Sequence, residues 1–282
     1  MATADLHLHT RYSDGTETPQ RVVEMAVQAG LAAIAITDHD IVDSYEQALP
    51  FAMAQGLELI PGLEMSAGHM GPSGEVDVHV LGLFVDIHHA PFQQRLAEQR
   101  TRRIRRTHEM VERLRGMGLA ITVEEVFAAA GEGAVGRPHV AQVLLDHGYV
   151  ATSREAFDKY IGNNGPAYVP GSPTPPKDAI RAILDAGGIP VLAHPVYIKN
   201  DALIEQWTRD GLVGLEVYHS SHAPEVVNRY KTLADRLGLL KTGGSDFHGT
   251  SREGVPIGTA TVPYELVEAL KAWKAAHPTP AS

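Results

Sequence analysis

Side chains of the types that bind metal ions recur along the chain, at the ends of several short apolar runs. They are His7, His9, His39, Glu64, His79, His194, Asp246 and His248. His7 and His9 are two residues apart, so on a strand both rings face the same side. Ligands that reach one point from the ends of several strands indicate a catalytic metal cluster at one mouth of an α/β barrel.

The elements that must position these side chains alternate between strand and helix. The apolar pattern predicts strands at 5–9, 32–36, 57–60, 76–85, 189–193, 213–217 and 239–242. It predicts helices at 18–30, 44–55, 177–186, 201–210 and 224–237, and a last helix from residue 264. Thr18-Pro19 is typical of a helix start and Gly30 of a helix end. This alternation favours a parallel sheet or barrel.

The pattern changes between residues 88 and 167, where only helices are predicted. A long helix is expected at 92–117, and Thr122 and Thr152 each precede a glutamate by three residues, as in a capping box. A further helix should follow Arg137-Pro138, and residues 163–176 form a Gly- and Pro-rich return linker. We therefore predict an α/β barrel formed by residues 1–87 and 168–282, with an all-helical inserted subdomain at 88–167.

Composition limits the kind of protein and the kind of site. The 282 residues carry a net charge of −10, which disfavours a general nucleic-acid coat. Because there is no cysteine, any metal must be held by histidine and carboxylate side chains. We find no secretory leader pattern and no membrane span, so a cytoplasmic location is expected. No obligate protein partner is expected.

Taken together, these motifs resemble a known family. The matching segments are His7-x-His9 with Asp14, Thr37-Asp38-His39, Gly62-x-Glu64, His79, Ala193-His194-Pro195 and Ser245-Asp246-x-His248. They resemble the motif pattern of the PHP (polymerase and histidinol phosphatase) domain, which implies a distorted (β/α)7 barrel with two or three metal ions. The segment Gly136-Arg137-Pro138-His139 resembles the bacterial subgroup of 3′,5′-nucleotide bisphosphate phosphatases and exoribonuclease AM.

The resemblance also implies a ligand set for each ion. His7, His9, Glu64 and Asp246 would hold the first ion; Glu64, His79 and His194 the second; and Asp14, His39 and His248 a third. Some family members carry His at the position of Asp14. Nitrogen and oxygen ligands with a phosphoryl substrate favour Mn²⁺, and ligand type leaves Fe²⁺ and Zn²⁺ open. Asp38 is expected to orient a ring rather than to bind metal.

Such a cluster suits phosphoester hydrolysis. Two ions about 3.5–4 Å apart share a water and lower its pKa, and they neutralise charge on the phosphoryl oxygens. The same cluster could polarise a carbonyl and hydrolyse an amide, but three ions with nearby arginines suit a dianionic phosphate better.

Candidate substrate contacts come from the insertion and from loops at the barrel mouth. Arg137 and His139 begin a predicted helix, where an arginine can hold a second phosphate. On the long helix, Arg102 and Arg106 lie one turn apart and could attract a nucleotide or an RNA 5′ end. His219 and His222 follow a strand and are candidates for phosphate binding or for protonating the leaving alcohol, with Asp246 as the catalytic ligand. Lys177 is a weaker substrate-binding candidate.

The predicted activity is removal of the 3′-phosphate from a nucleoside 3′,5′-bisphosphate, leaving the 5′-nucleotide. Three alternatives stay open: 5′→3′ exoribonuclease activity on short 5′-phosphorylated RNA, hydrolysis of histidinol phosphate, and a non-catalytic PHP module. The RNA activity requires a continuous basic groove from Arg102 and Arg106 to the metals. A non-catalytic module predicts eroded ligands, whereas every motif position here is a competent ligand.

Overall fold

The computed structural model of the chain describes residues 2–71, 74–163, 165–171, 174–252 and 254–278. Its strands are β1 (Thr3–Leu8), β2 (Ala33–Ile36), β3 (Glu58–Gly71), β4 (Gly74–Leu83), β5 (Ile189–Leu192), β6 (Gly214–His219), β7 (Leu240–Gly244) and β8 (Val262–Pro263). Its helices are α1 (Pro19–Gln28), α2 (Asp43–Gln55), α3 (Ala90–Gly116), α4 (Val123–Ala130), α5 (Arg137–Asp146), α6 (Ser153–Ala156), α7 (Pro176–Asp185), α8 (Asp201–Arg209), α9 (Pro224–Leu237) and α10 (Tyr264–Ala276).

The strands form a single sheet that curls into a nearly closed barrel. Their order is β7-β6-β5-β4-β3-β2-β1-β8. The sheet closes where the loop after β7 meets β1: the Asp246 backbone N–H donates to the His7 carbonyl at 2.9 Å, and His9 N–H donates to the Phe247 carbonyl at 2.9 Å. This architecture confirms the predicted α/β barrel, and the closure brings the two ends of the ligand pattern together.

One part of the sheet differs from the parallel arrangement expected from the sequence. β4 runs antiparallel to both β3 and β5, and β8 runs antiparallel to β1. A short connection can only return an antiparallel strand, and Gly71 already pairs with Gly74. β3 is also longer than the predicted strand at 57–60, because it continues past the barrel wall as one arm of this hairpin.

The insertion is helical and has a hydrophobic core of its own. α3, α4 and α5 pack around buried side chains that include Met110, Leu114, Val126 and Leu144. Both arms of the capping box between Thr122 and Glu125 are present at the start of α4. These observations confirm the helical insertion, while the boundaries at 88 and 167 stay predictions. Of the predicted return linker, Asn164, Ser172 and Pro173 lie outside the described residues.

Among the described residues, none of the helices combines the length and apolar character that crossing a membrane requires.

The closure of the barrel leaves no room for a side chain at Gly244 in β7. A Cβ atom there would lie 2.4 Å from the His7 backbone nitrogen and 2.5 Å from the His7 Cβ. We expect Gly244→Ala to destabilise the fold by about 1–3 kcal/mol, because overpacking forces the strands apart. Urea unfolding followed by circular dichroism measures this difference.

Gly116→Ala at the end of α3 is the matched control, since no atom lies within 4 Å of its Cβ position. Equal stability of the two variants would contradict the proposed close approach of β7 to β1.

Candidate metal centre

Seven consecutive strands of the barrel contribute side chains to one buried cluster. His7 lies on β1, and His9 and His39 directly follow β1 and β2. Glu64 and His79 lie within the β3–β4 hairpin, which extends past the end of β2, and His39 forms a parallel bridge to Glu64. β5 leads to His194, β6 carries Glu216, and β7 leads to Asp246 and His248. With Asp14, in the loop between β1 and α1, which lies against His9, His39 and His248, the structure brings all nine predicted ligands together.

The Glu64 carboxylate lies at the middle of the cluster, and its two oxygens face different rings. Oε2 lies 3.4 Å from His7 Nε2, 3.2 Å from His9 Nε2 and 3.2 Å from His39 Nδ1. Oε1 lies 3.0 Å from His79 Nδ1 and 2.9 Å from His194 Nε2. A carboxylate placed in this way can bridge two cations, each surrounded by its own set of imidazoles.

Two further carboxylates complete the cluster. Asp246 Oδ1 lies 3.4 Å from His7 Nε2 and 3.3 Å from His9 Nε2, next to Glu64 Oε2. Asp14 stands between two rings, with Oδ1 3.3 Å from His248 Nε2 and Oδ2 3.6 Å from His39 Nε2. Asp246 thus lies with His7 and His9, and Asp14 with His39 and His248, while His39 also contacts Glu64. The assignment of residues to individual ions stays a prediction.

The polar atoms of the cluster fit divalent cations better than they fit one another. His39 Nδ1, His79 Nδ1 and Asp14 Oδ1 are buried and make no hydrogen bond of acceptable geometry within the described residues, although oppositely charged groups lie nearby. A divalent cation is bound by lone pairs that point to one place and are not already used in hydrogen bonds with each other. Ligand atoms lie within 4.8 Å of one another in sets that include His9, Asp14, His39 and His248; His7, His9 and Asp246; and His39, Glu64 and His79. These nitrogen and oxygen donors suit Mn²⁺, Fe²⁺ or Zn²⁺.

The electrostatic field of the cluster also favours cations. Burial alone would raise the pKa of Glu64, but neighbouring imidazoles, His79 and His7 among them, hold it well below its usual range. Burial lowers the pKa of His39 to about 3, so this ring is neutral and able to bind metal. Burial also opposes the charged form of His9, yet its hydrogen bonds to Asp246 and Glu64 raise its pKa to about 10. The negative charge that stabilises a proton on His9 is the same charge that would attract a cation.

Buried carboxylates behind the ligands hold them in place. Glu216 accepts a hydrogen bond from His7 Nδ1 at 2.9 Å and from the His194 backbone N–H at 2.6 Å. Asp38 accepts from the Ser13 hydroxyl at 2.7 Å, and that hydroxyl lies 3.3 Å from His9 Nδ1. Asp38 thus reaches the His9 ring through Ser13, rather than the ring of its neighbour His39. Such partners fix the orientation of metal-binding rings.

The backbone is strained at three positions around the cluster. Asp40, His194 and Asp246 have positive φ angles of 55°, 27° and 55°, which side-chain-bearing residues seldom adopt. The Glu216 carboxylate stabilises the turn at His194 by accepting its N–H. Strain of about 1–3 kcal/mol per residue persists only where surrounding contacts impose it, typically at functional sites.

A small cavity rich in arginine adjoins the cluster; we call it the arginine cavity. Arg102, Arg103 and Arg106 of α3 and Arg137 of α5 line it, and it opens to the cluster at Asp14, His39 and His79. Its volume is about 160 Å³. Arg103 donates to Asp40 at 2.7 Å and to Ser66 at 2.6 Å, and Arg137 donates to Asp77 at 2.8 Å.

Arg106 carries the least compensated charge in this cavity. Its Nε donates to the Val169 carbonyl at 2.9 Å, but its buried NH2 group has no hydrogen-bond partner among the described residues. Burial, followed by the repulsion of Arg137, lowers the pKa of Arg106 to about 10. The Arg106 guanidinium is partly buried, and its NH2 group has no described hydrogen-bond acceptor, so an anion would bind there.

Of the other two predicted substrate contacts, His139 lies close to the cluster and Lys177 does not line it. His139 Nδ1 accepts from the Gly136 backbone N–H at 3.0 Å and so caps α5, with its ring close to Asp14. Lys177 is exposed near the start of α7 and lines neither the arginine cavity nor the cavity over the ligand cluster. Its role in substrate binding stays a prediction without a supporting contact.

The two loop histidines after β6 differ in their hydrogen bonds. His219 Nδ1 accepts from the Ser221 backbone N–H at 3.1 Å, so its Nε2 proton faces Asp246 Oδ2 at 3.2 Å. His222 Nδ1 donates to the Val217 carbonyl at 2.9 Å, which leaves a buried Nε2 lone pair, and burial lowers the pKa of this ring. His219 therefore orients Asp246, and His222 presents an acceptor rather than a proton.

Sequence reasoning missed four side chains at the site: Glu216, Arg103, Asp77 and Arg252. Glu216 could have been noticed as a carboxylate within an apolar strand, and Asp77 because it lies two residues before His79 on the same face of β4. Arg103 lies next to Arg102 on α3, but only Arg102 and Arg106 were predicted to contact the substrate. Arg252 contacts Asp246 from the loop after β7, where no local pattern pointed to it.

Comparison with known proteins agrees with this site. Residues 5–161 match the profile of the PHP domain. The chain is 33% identical to a 3′,5′-nucleoside bisphosphate phosphatase of Chromobacterium violaceum, over 92% of this chain and 91% of that protein. It is 34% identical to the 5′-3′ exoribonuclease Rnm of Salmonella typhimurium, over 86% and 84%. A solved structure from Bifidobacterium adolescentis, whose name is that of a metal-dependent phosphoesterase, superposes with a TM-score of 0.87 at 34% identity and 95% coverage of both chains.

The central position of Glu64 predicts how metal binding responds to substitution. Glu64→Gln should weaken binding of two ions by more than about 100-fold, because a neutral amide cannot bridge them. Asp14→Asn should weaken only the ion near His39 and His248. Titration calorimetry with Mn²⁺, together with metal analysis of the dialysed protein, gives both affinity and stoichiometry.

Glu64→Gln and Asp14→Asn serve as controls for each other, because each replaces a carboxylate of the cluster by an amide of the same size. If Glu64→Gln retained the stoichiometry of the wild type, Glu64 would not be a bridging ligand.

Proposed function

The chain belongs to the PHP domain family, and from that premise we propose that it hydrolyses the 3′-phosphate of nucleoside 3′,5′-bisphosphates to the 5′-nucleotide and phosphate. It is a metal-dependent phosphoester hydrolase. The relative from Chromobacterium violaceum bears the name of this activity. The observation that carries the proposal is the arginine cavity, which offers a place for a second phosphate directly beside the ligand cluster.

The arrangement matches a substrate with two phosphates. His39, His79 and Asp77 line both the arginine cavity and a second cavity over the ligand cluster, so the two cavities adjoin at these residues. With the 3′-phosphate at the cluster and the 5′-phosphate against Arg106, the sugar would lie beside Asp77. An arginine cavity of 160 Å³ is smaller than the roughly 300–1,000 Å³ of pockets that hold whole ligands. It is suited to a phosphate group rather than to a nucleoside.

The residues around the cluster account for the rest of the chemistry. Divalent cations, for which we propose Mn²⁺, would supply charge neutralisation at the phosphoryl oxygens and lower the pKa of water when bound at this donor set. Asp246 stays ionised because the field of His7 and the hydrogen bond from His219 outweigh its burial and hold its pKa well below the usual range. Arg103 and Arg137 are held in place by Asp40 and Asp77, so they face the substrate without reorganisation. A cytoplasmic location stays a prediction from the sequence.

The reaction itself is the first test. Mn²⁺-reconstituted protein incubated with 3′,5′-bisphosphoadenosine should release phosphate and 5′-AMP, identified by chromatography. Asp246→Ala should reduce the rate by about 100-fold or more, because it removes a carboxylate from the ligand cluster. Asp210→Ala, at an exposed position after α8, should leave the rate unchanged. Release of 3′-AMP instead would mean that the nucleotide binds in the opposite orientation, and no release would contradict the proposed substrate.

Removal of the Arg106 charge tests the role of the arginine cavity. Arg106→Met should raise KM for the bisphosphate by about 10- to 100-fold, since a charged hydrogen bond contributes about 1.5–3 kcal/mol. KM for adenosine 3′-monophosphate, which lacks the 5′-phosphate, should change little. Steady-state kinetics with the two substrates measures this difference.

Arg105→Met, which removes an exposed arginine from the same helix, is the matched control. A loss of the same size on both substrates would show that Arg106 does not contact the 5′-phosphate.

A further inference from the structure

Asp14 lies in the loop between β1 and α1, residues 9–18, which we call the Asp14 loop. The barrel holds the first part of this loop: Asp38 accepts from the Thr10 backbone N–H at 2.7 Å and from the Ser13 hydroxyl at 2.7 Å. Asp14 itself comes after these anchors and faces the cluster, with Oδ1 3.3 Å from His248 Nε2. Its position therefore depends also on what supports the loop from the side away from the barrel.

That support comes from the insertion, at residues 131–136 between α4 and α5, which we call the α4–α5 loop. The Ala134 backbone N–H donates to the Tyr12 carbonyl at 2.8 Å. A Cβ atom at Gly133 would lie 2.7 Å from the Tyr12 carbonyl oxygen, closer than a side chain can approach a backbone. The two loops are therefore in direct backbone contact, and position 133 has room for glycine alone.

His139 adds a side-chain contact from α5. Its ring is buried, and Nδ1 accepts from the Gly136 backbone N–H at 3.0 Å, so the proton of the ring is on Nε2. The ring also lies within hydrogen-bonding reach of the Ser13 backbone. Because the Ser13 N–H already donates to the Thr10 carbonyl, the Ser13 carbonyl is the group that can accept from Nε2. His139 thus contacts the residue directly before Asp14.

The other two ligands proposed for the third ion are connected to the insertion as well. Thr16, in the Asp14 loop, donates its backbone N–H to the His248 carbonyl at 3.2 Å. Arg103 of α3 donates at 2.7 Å to Asp40, which directly follows His39. The insertion therefore contacts, directly or through the Asp14 loop, the backbone next to each of these three ligands.

We propose that the α4–α5 loop and His139 position Asp14 for the third metal ion, so that binding of this ion and docking of the insertion on the barrel stabilise each other. Such a coupling is reciprocal, because each event changes the equilibrium of the other by the same factor. His139 is then a positioning residue rather than a substrate contact. This proposal rests on the ligand set proposed for the third ion and does not depend on which phosphoester is hydrolysed.

Hydrogen exchange in the wild-type protein tests the coupling without a change to the α4–α5 loop. Mn²⁺ should slow amide exchange at residues 131–136 by about tenfold or more, because the ion fixes Asp14 and, through Tyr12, the partner of the Ala134 N–H. Asp14→Asn is the matched control, since it retains the ligands proposed for the other two ions. In this variant Mn²⁺ should no longer slow exchange at residues 131–136. Mass spectrometry of peptides with and without Mn²⁺ measures both rates.

Titration calorimetry with Mn²⁺, in the absence of any substrate, tests His139. His139→Ala should weaken the third ion by about tenfold and leave the other two unchanged, as expected when a group that orients a ligand is lost. His139→Gln should restore the affinity, because its amide can accept from the Gly136 N–H, as in a capping box, and donate to Ser13. His147→Ala, at the other end of α5 in an ion pair with Glu125, should bind Mn²⁺ as the wild type does.

The outcomes that would overturn the proposal are distinct. Exchange at residues 131–136 that Mn²⁺ does not change, or changes equally in Asp14→Asn, contradicts the coupling. Full affinity for the third ion in a folded His139→Ala variant contradicts the role of His139, and a substrate contact would instead raise KM. A wild type that binds only two ions contradicts the proposal as a whole.

The same measurements separate this proposal from the proposed function. If His139→Ala did not fold, the exchange rates of the wild type and Asp14→Asn would decide by themselves. None of the measurements involves turnover. Failure to hydrolyse the bisphosphate would therefore overturn the proposed function and leave the coupling between the third ion and the insertion intact.

Discussion

The fold depends on the burial of one carboxylate, Glu64, among imidazole rings. Five side chains from four strands or strand ends lie within 3.4 Å of its two oxygens. An isolated ionised carboxylate in the interior would cost several kcal/mol, so it requires compensating charge from every direction. A flat sheet presents its strand ends in a row and cannot surround one point. The nearly closed barrel, joined where the loop after β7 meets β1, can do so, and the cluster is thus a reason for the closure as well as a product of it.

The same constraint explains two buried carboxylates behind the cluster that are not among the predicted ligands. Burial raises the pKa of Asp5 to about 6, yet its carboxylate accepts from the Ser245 backbone N–H at 2.9 Å and from Gly258 N–H at 3.0 Å. It thereby fixes the loop that carries Asp246, whose backbone is strained. Glu216 plays the corresponding part for His7 and for the strained turn at His194. At such short range, like charges within the cluster repel one another. The backbone that carries these side chains therefore needs hydrogen bonds to buried carboxylates to hold its position.

The sequence predicts residues that belong to a short local pattern, and it does not predict residues whose role depends on a partner far away in the chain. Most of the nine candidate ligands could be predicted because they lie in or just after apolar strands, and His7 and His9 obey the two-residue period of a strand. Asp14, in the loop after β1, was predicted from the family resemblance alone. The antiparallel β4 was wrongly expected to be parallel, because an apolar run carries no direction and the hairpin turn was not recognised. Glu216 and Arg103 act through partners remote in sequence: 209 residues separate Glu216 from His7, and 63 separate Arg103 from Asp40. No local pattern contains such a pairing.

The division of labour between barrel and insertion follows from these charges. A cluster of histidines and carboxylates can act on many phosphoesters, since it engages only the phosphoryl group. Selection among substrates needs positive charge at a fixed distance from the cluster, but a cation inside the barrel would repel the metal ions. The arginines stand instead on α3 and α5 of the insertion, where Asp40, at the end of β2, and Asp77, on β4, hold Arg103 and Arg137 at 2.7 and 2.8 Å. These two ion pairs join the insertion to the barrel and set the distance between the cluster and the arginine cavity. Under the proposed function, the docking of the insertion would therefore set the length of the substrate, while the barrel would supply the groups that carry out the hydrolysis.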